Sequence, residues 1–332
     1  MSNVLRGKLT LVTGGAGFIG SHLVDALVER GARVRVLDDL SSGHRENLEG
    51  VLSRIEFLEG DIRDLESCRR ACEGAALVFH QAARGSVPRS MSDPATTIAV
   101  NVAGTANVFA AAREKEAARV IYASSSSVYG DSQTLPKREG EEGRPLSPYA
   151  LSKVMNEQLA DVFVRCFGMQ FVGLRYFNVY GPRQDPDGPY AAVIPRFFKS
   201  CLAGEAPVIY GDGEQSRDFT YVSDAVAANL AASEAPESAC GQAYNVAGGR
   251  RTTVNELASL VREIARSGLA AQHVAPRPGD IPHSLADLER ARASLGWMPR
   301  VELAEGLALA STHYRGAVGG GTPVSLGRRT RP

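Results

Sequence analysis

The chain has no run of about 18 consecutive apolar residues, so the sequence offers no transmembrane helix. It has no excess of charge of either sign. Lysine plus arginine and aspartate plus glutamate each number 37, which removes the global field that nucleic acid or an anionic membrane would need, and neither is expected as a partner. Cysteine is sparse: Cys68, Cys72, Cys166, Cys201 and Cys240 are odd in number and scattered, against a disulfide framework. Cys68 and Cys72 share a helix face, but no His or further Cys lies nearby, so no metal centre is expected. The first ten residues lack the hydrophobic core and cleavage site of a signal peptide and lead straight into an apolar strand; the cytoplasm is the expected compartment. Internal repeats are absent too. What is left is an ordinary globular composition, 44% hydrophobic and 22% charged, in 332 residues, enough for one large domain or two smaller ones.

Strand and helix patterns alternate along the first half. Leu9 to Val12 is an apolar run that ends in Thr13-Gly14-Gly15-Ala16-Gly17-Phe18-Ile19-Gly20. Ser21 to Arg30 reads as an amphipathic helix closed by Gly31, and Val34, Val36 and Leu37 make a strand ending at Asp38-Asp39: one βαβ unit. The pattern continues with a strand at Ile55 to Leu58, a helix at Leu65 to Cys72 and a strand at Ala76 to Phe79. A long helix at Thr96 to Arg113, a strand at Val120 to Ala123, a helix from Tyr149 and a strand at Phe171 to Leu174 follow. This alternation predicts an α/β fold with a Rossmann-type, doubly wound parallel sheet over residues 1–180. Beyond 180 the chain turns loop-rich, at 181–189, Gly211-Asp212-Gly213 and Arg277-Pro278-Gly279-Asp280, so residues 181–315 read as a smaller C-terminal α/β substrate lobe. Segments near 219–246 are expected to return to the first domain. Residues 316–332, rich in Gly, Arg and Pro, are expected to be disordered.

Gly14, Gly17 and Gly20 form Gly-x-x-Gly-x-x-Gly directly after a strand and at the opening of a helix. Glycines there let the backbone turn and approach a pyrophosphate at the helix N-terminus. Asp38, at the end of the second strand, is placed to accept the adenosine ribose hydroxyls and to repel a 2′-phosphate, which favours NAD over NADP despite Arg33 and Arg35 just before it. Asp61-Ile62 after the third strand suits the adenine edge, and Gln81-Ala82-Ala83 after the fourth lets the chain pass close to the cofactor. Asn101, a poor helix former in mid-helix, reads as a polar brace for the active-site strand.

Ser147-Pro148-Tyr149-Ala150-Leu151-Ser152-Lys153 carries the chemistry. Ser-Pro is a good helix start, and it puts Tyr149 and Lys153 four apart on one face. A free tyrosine, with a pKa of about 10, is a poor base at neutral pH; a neighbouring ammonium is expected to lower it.

Thr13 to Gly20, Asp38, Asp61, Asn101, the serine run Ser124 to Gly130 and Tyr149/Lys153 together resemble the extended short-chain dehydrogenase/reductase superfamily over nearly the whole chain. Within it the chain resembles nucleotide-sugar 4-epimerases, through the segment Leu174 to Arg183, which includes Tyr176 and Asn178, the segment Gly211 to Phe219, and Arg277 to Asp280. The nearest likeness is to the UDP-N-acetylglucosamine 4-epimerases of surface-polysaccharide synthesis, through Gly85 to Ser90, Tyr190 to Pro195 and His283 to Asp287.

The resemblance implies Tyr149 as the base, Lys153 as its activator and a ribose ligand, and Ser125 as the bridge between the sugar O4 and Tyr149. It implies Phe18, Ile19 and Tyr176 beside a tightly bound NAD. Asn178, Arg217 and Arg277 would hold the UDP diphosphate, Tyr210 would stack on uracil, and Ser126, Ser127, Val193, Asp280 and Ser284 would line the substrate site. The implied cycle oxidises the sugar at C4, turns the 4-keto sugar over and returns the hydride to the other face. Related 4,6-dehydratases carry Thr-Asp-Glu where this chain has Ser125-Ser126-Ser127, so elimination lacks its acid and base here. A small residue at Ser284 admits an acetamido group that a tyrosine would exclude, and Ser126 can hydrogen-bond it. UDP-glucose and UDP-glucuronate 4-epimerases are the competing expectations, and a non-catalytic NAD-binding sensor a remote one. Arg84 departs from the apolar residue expected beside the nicotinamide. A homodimer is expected, with the helices at 96–113 and 149–167 pairing across a two-fold axis.

Overall fold

The computed structural model describes residues 4–186, 191–276 and 282–318. The alternating pattern folds as β1 (Leu9–Thr13), α1 (Phe18–Glu29), β2 (Arg33–Asp38), β3 (Ile55–Glu59), α2 (Leu65–Cys72) and β4 (Leu77–His80). Next come α3 (Val87–Ser92), α4 (Pro94–Ile98), α5 (Thr105–Glu114), β5 (Arg119–Ser125), α6 (Pro148–Phe167) and β6 (Gln170–Tyr176). The second half holds β7 (Val179–Tyr180), α7 (Val193–Leu202), β8 (Val208–Tyr210), β9 (Ser216–Asp218), β10 (Thr220–Tyr221), α8 (Val222–Glu234) and β11 (Gln242–Val246). It closes with β12 (Arg251–Thr253), α9 (Val254–Ala265), β13 (Gln272–Val274), α10 (Glu289–Leu295) and α11 (Leu303–Val318).

Seven strands pair in parallel in the order β11-β6-β5-β4-β1-β2-β3. The strand order reverses between β1 and β4, which opens a crevice at their carboxyl ends, where open α/β sheets bind ligands. Helices cover both faces, so a central strand such as β4 is buried along its whole length. On one face Leu23, Val24 and Leu27 of α1 share a core with Ala225 and Ala228 of α8. On the other, α2, α5 and α6 close over Phe109, whose ring meets Phe171 at 4.5 Å and Tyr122 and Phe163 edge-on. A third core, with Phe197, Phe198, Leu257 and Tyr314, lies between α7, α9 and α11.

Several boundaries differ from those the sequence suggests. α1 starts three residues early, at Phe18, because Gly17 is extended and caps it; it ends at Glu29, with Arg30 as its C-cap and Gly31 beyond in the left-handed region. The helix expected at 96–113 runs from Pro94 to Glu114 but relaxes into a π turn at Ala99–Gly104, a distortion common at functional sites. By length and composition this helix could cross a membrane although the sequence has no unbroken apolar run; it lies instead against α2 and α6, with Thr97, Asn101 and Thr105 buried and hydrogen-bonded within the protein. α11 runs to Val318, so the stretch expected to be disordered from 316 begins inside a helix; residues 319–332 lie outside the described residues. The Cys68 and Cys72 thiols are buried on α2 and pushed up to about 12 by burial.

Candidate active site

At the end of β1 the backbone has no room for side chains. Gly14 has φ +68°, and a Cβ there would lie 2.6 Å from the Ala82 nitrogen; a Cβ on Gly20 would lie 2.1 Å from the Gly14 carbonyl oxygen. The turn therefore packs directly against α1 and the Gln81-Ala82-Ala83 strand end, with Phe18 and Ile19 in the first turn of α1. Asp38 is 6% exposed, its two oxygens accepting from the Ala16 and Leu40 amides at 2.9 Å each. Burial raises its pKa and those two amides oppose the rise. Each oxygen keeps a lone pair for a ribose hydroxyl. Arg35 turns away, to Glu56 at 2.8 Å and the Ala71 and Glu73 carbonyls, so it offers nothing to a 2′-phosphate. The glycine cradle and Asp38 thus fit NAD. Asp61 is engaged by Arg63 beside it, and Ile62 is buried.

Polar residues lock the crevice floor. His80, 3% exposed, lies between Thr13 Oγ1 (2.7 Å) and Thr105 Oγ1 (2.9 Å). Thr105 donates to the Asn101 carbonyl, so His80 Nε2 carries the proton and Nδ1 accepts from Thr13. Burial pushes its pKa down to about 3. Asn101, wholly buried, accepts from the Arg84 amide at 2.7 Å and donates to the Arg84 carbonyl and to Ser152 Oγ. It ties the β4 loop to α6. The Arg84 side chain pairs with Asp93 at 3.1 Å. Gln81, Tyr176 and Asn229 form a closed triangle of hydrogen bonds.

Ser147 caps α6 by accepting from the Ala150 amide, with Pro148 in the first turn, as the sequence implies. The Tyr149 amide donates to buried Ser90 Oγ. Tyr149 hydrogen-bonds Ser125 through its side chain, and Ser125 also accepts from the Ser127 amide. Lys153, 3% exposed, donates to the Ala123 carbonyl at 2.7 Å, its nitrogen 5.9 Å from the Tyr149 ring centre. Burial lowers Lys153 to about 8, with Glu157 opposing. The expected lowering of Tyr149 does not occur in this state: burial raises it and only the Ser125 hydrogen bond pulls it down. Both members of the pair are desolvated, and Lys153 is not among the groups that lower Tyr149 in this state. Ser126 opens the turn that follows β5, and Ser127 Oγ is buried without a partner.

On the lobe side, Asn178 sits at φ +36° and donates to the Asp218 carbonyl at 2.8 Å. Arg217 reaches the Ser216 carbonyl at 2.9 Å, and the Ser284 amide donates to that same carbonyl at 3.0 Å. Asn178, Arg217 and Ser284 are therefore gathered around Ser216–Asp218. Val193 opens α7, and Tyr210 ends β8 with the Arg196 guanidinium 5.6 Å from its ring centre. Arg277 and Asp280 lie outside the described residues. No role follows from the sequence for His80, Glu157, Arg175 or Asp218, although Arg175 and Asp218 fall inside segments that carry the family resemblance. Asp218 is wholly buried and accepts from the Gly249 and Ala286 amides, which fixes Arg217 beside it. Glu157 was within reach of the same periodicity argument, one turn past Lys153.

Known proteins resemble this chain in sequence and in fold. The UDP-glucose 4-epimerase of Mycolicibacterium smegmatis is 40% identical over 310 residues, spanning 92% of this chain and 98% of its own. The crystal structure of a UDP-glucose 4-epimerase with UDP-glucose from Thermotoga maritima superposes with a TM-score of 0.88 at 40% identity, over 93% of this chain and 99% of that one. A UDP-N-acetylglucosamine 4-epimerase from Methanobrevibacter ruminantium, in complex with UDP-N-acetylmuramic acid, gives a TM-score of 0.89 at 39% identity, over 93% and 98%. The family model for the NAD dependent epimerase/dehydratase family matches residues 10–247, most of the chain and the whole of the parallel sheet except Leu9, and the chain belongs to that family.

Proposed function

We propose that this chain interconverts UDP-N-acetylglucosamine and UDP-N-acetylgalactosamine by epimerisation at C4. The observation that carries the reading is the Ser125–Tyr149–Lys153 row at the carboxyl end of β5, flanked by serines and by no carboxylate at 125–127. Bound NAD supplies the hydride acceptor and donor, and its oxidised ring carries a positive charge. Gly14, Gly17 and Gly20 cradle its pyrophosphate; Asp38 takes the ribose hydroxyls; Asp61, Ile62, Gln81 to Ala83 and Tyr176 line its remaining length. Tyr149 Oη takes the proton of the C4 hydroxyl through Ser125, and Lys153 holds positive charge near the phenolate that results. The 4-keto sugar turns about its phosphate linkage, and Tyr149 returns the proton to O4 on the other face.

Asn178 and Arg217 meet the diphosphate, a fork of donors suited to phosphate oxygens. Tyr210 and Val193 receive the uridine. The unpartnered Ser127 Oγ supports a polar contact with the sugar, and the small side chains of Ser126 and Ser284 leave room for an acetamido group. The similarity to UDP-glucose 4-epimerases favours UDP-glucose as a second substrate. Exposed Leu151, Met155 and Val162 along α6 support a homodimer across that helix.

The test incubates the purified protein, without added NAD, separately with UDP-N-acetylglucosamine, UDP-glucose and UDP-glucuronate, and resolves the products by NMR. UDP-N-acetylgalactosamine forms fastest on this reading. Turnover of UDP-glucose or UDP-glucuronate alone overturns the substrate, and no turnover even with NAD added overturns the enzyme.

A further inference from the structure

Three successive turns of α6 grip three consecutive residues of β5. Tyr149 holds the Ser125 side chain, Lys153 takes the Ala123 carbonyl, and Glu157 accepts from Ser124 Oγ. Glu157 is itself fixed by a two-pronged bond from Arg175, Nε at 2.9 Å and Nη2 at 2.7 Å. Arg175 is the cross-strand neighbour of Ser124 in the β5–β6 pairing, so the clamp spans the two strands whose ends carry Ser125 and Tyr176.

The charges do not cancel. Arg175 is shared between Glu157 and Glu142, and it also donates to Tyr129 Oη at 3.0 Å. Two carboxylates on one guanidinium leave one negative charge in surplus, and Glu157 is the carboxylate one helical turn from Lys153. A cavity of about 310 Å³ opens behind Glu157, lined also by Glu139, Asp161 and Arg290. The other titratable or charged groups facing the pair are Tyr149 and Asp161 on α6, His80 on β4, Tyr122 on β5, and Arg175 and Glu142. His80 stays neutral, and burial holds the Tyr122 phenol protonated.

We propose that Glu157 is a positioning residue of the reaction: its carboxylate keeps Lys153 cationic and, through Ser124, fixes the strand end that presents Ser125 to Tyr149. This deepens the epimerase reading and rests on it for the link to turnover.

The chain has five lysines, Lys8, Lys115, Lys137, Lys153 and Lys199, so the side-chain ε-carbon NMR signal of each can be followed against pH. In the full-length protein Lys153 titrates near 8. In Glu157→Gln its midpoint falls by about one pH unit, and the alkaline limb of kcat falls with it. In Glu157→Asp, which keeps the charge, the midpoint stays within a few tenths of the parent's while kcat drops several-fold from the loosened Ser124 contact. A Lys153 midpoint unmoved in folded Glu157→Gln overturns the proposal. If Glu157→Gln does not fold, Glu157→Asp decides alone: a several-fold drop in kcat with the Lys153 midpoint retained supports the role, and a parental kcat overturns it. If the parent turns over no UDP-sugar, the epimerase reading fails while the NMR titration still decides what Glu157 does to Lys153.

Discussion

Replacing Gly20 and Gly17 in turn with alanine separates the packing of the glycine turn from its proposed hold on the cofactor. At Gly20 the new Cβ would lie 2.1 Å from the Gly14 carbonyl oxygen and 2.9 Å from both the Gly14 carbonyl carbon and Gly15 Cα, and every one of these is backbone. Ordinary contact begins near 3.4 Å, so α1 must retreat by about 1.3 Å from the end of β1. Leu23, Val24 and Leu27 sit on that helix in the fully packed core, so the retreat loosens them too. Overpacking of this kind costs about 1–3 kcal/mol, or roughly 1.5–4 °C in Tm for a chain of this size. The same shift moves the amides of the first turn of α1 off the pyrophosphate. Gly17→Ala is the control: its Cβ meets the nearest atom, the Gly14 carbonyl oxygen, at 3.2 Å, and its φ of −75° suits alanine. The assay is Tm by calorimetry on the NAD-free proteins, beside NAD content as purified. Gly20→Ala should lose both stability and NAD; Gly17→Ala should keep its Tm within about 1 °C and lose NAD alone. A Gly20→Ala protein with parental Tm and full NAD would refute the reasoning.

Three further outcomes follow from the site. Tyr149→Phe removes the proton acceptor but keeps the ring packing, so kcat should fall about 10²- to 10⁴-fold with NAD content unchanged, read by NMR turnover; a loss under tenfold would assign the base elsewhere. Ser284→Tyr should suppress turnover of UDP-N-acetylglucosamine more than that of UDP-glucose; equal losses would remove the gate at 284. His80 is held neutral with its pKa pushed from 6.5 to about 3, so the stability it supports is full above about pH 6.5 and is lost as pH falls toward 3. By pH 5 the loss is about 2 kcal/mol, and a His80→Gln variant should lose about that much less than the parent between pH 7 and 5 in urea titrations.

The alternation of apolar runs was enough to place six of the seven strands of the parallel sheet near their positions, because short apolar runs mark strands in the sequence; β11 was foreseen only as part of a segment returning to the first domain. The cap at Ser147 and the glycine turn were legible for a similar reason: their chemistry is local. The π turn around Asn101 was not, since Asn101 meets its partners Arg84 and Ser152 only through the fold. Distance in sequence also hid what Arg84 does, which is to reach Asp93, and hid the pairing of Arg175 with Glu157 across a helix and a strand. The behaviour of Tyr149 shows a different limit. Spacing puts a lysine beside a tyrosine, but only the fold reveals that both are stripped of water, and desolvation reverses the sign expected of the shift.

The position of β11 has a consequence for biosynthesis. The strand joins β6 only after the chain has passed through residues 177–241, and α8, which covers α1, lies in that same stretch. A nascent chain that has emerged as far as β6 therefore carries an unpaired sheet edge and an uncovered apolar helix face at once. The cofactor turn is made early, but its surroundings close only when Gln242–Val246 leaves the ribosome, so folding waits on the last strand of the sheet rather than proceeding domain by domain.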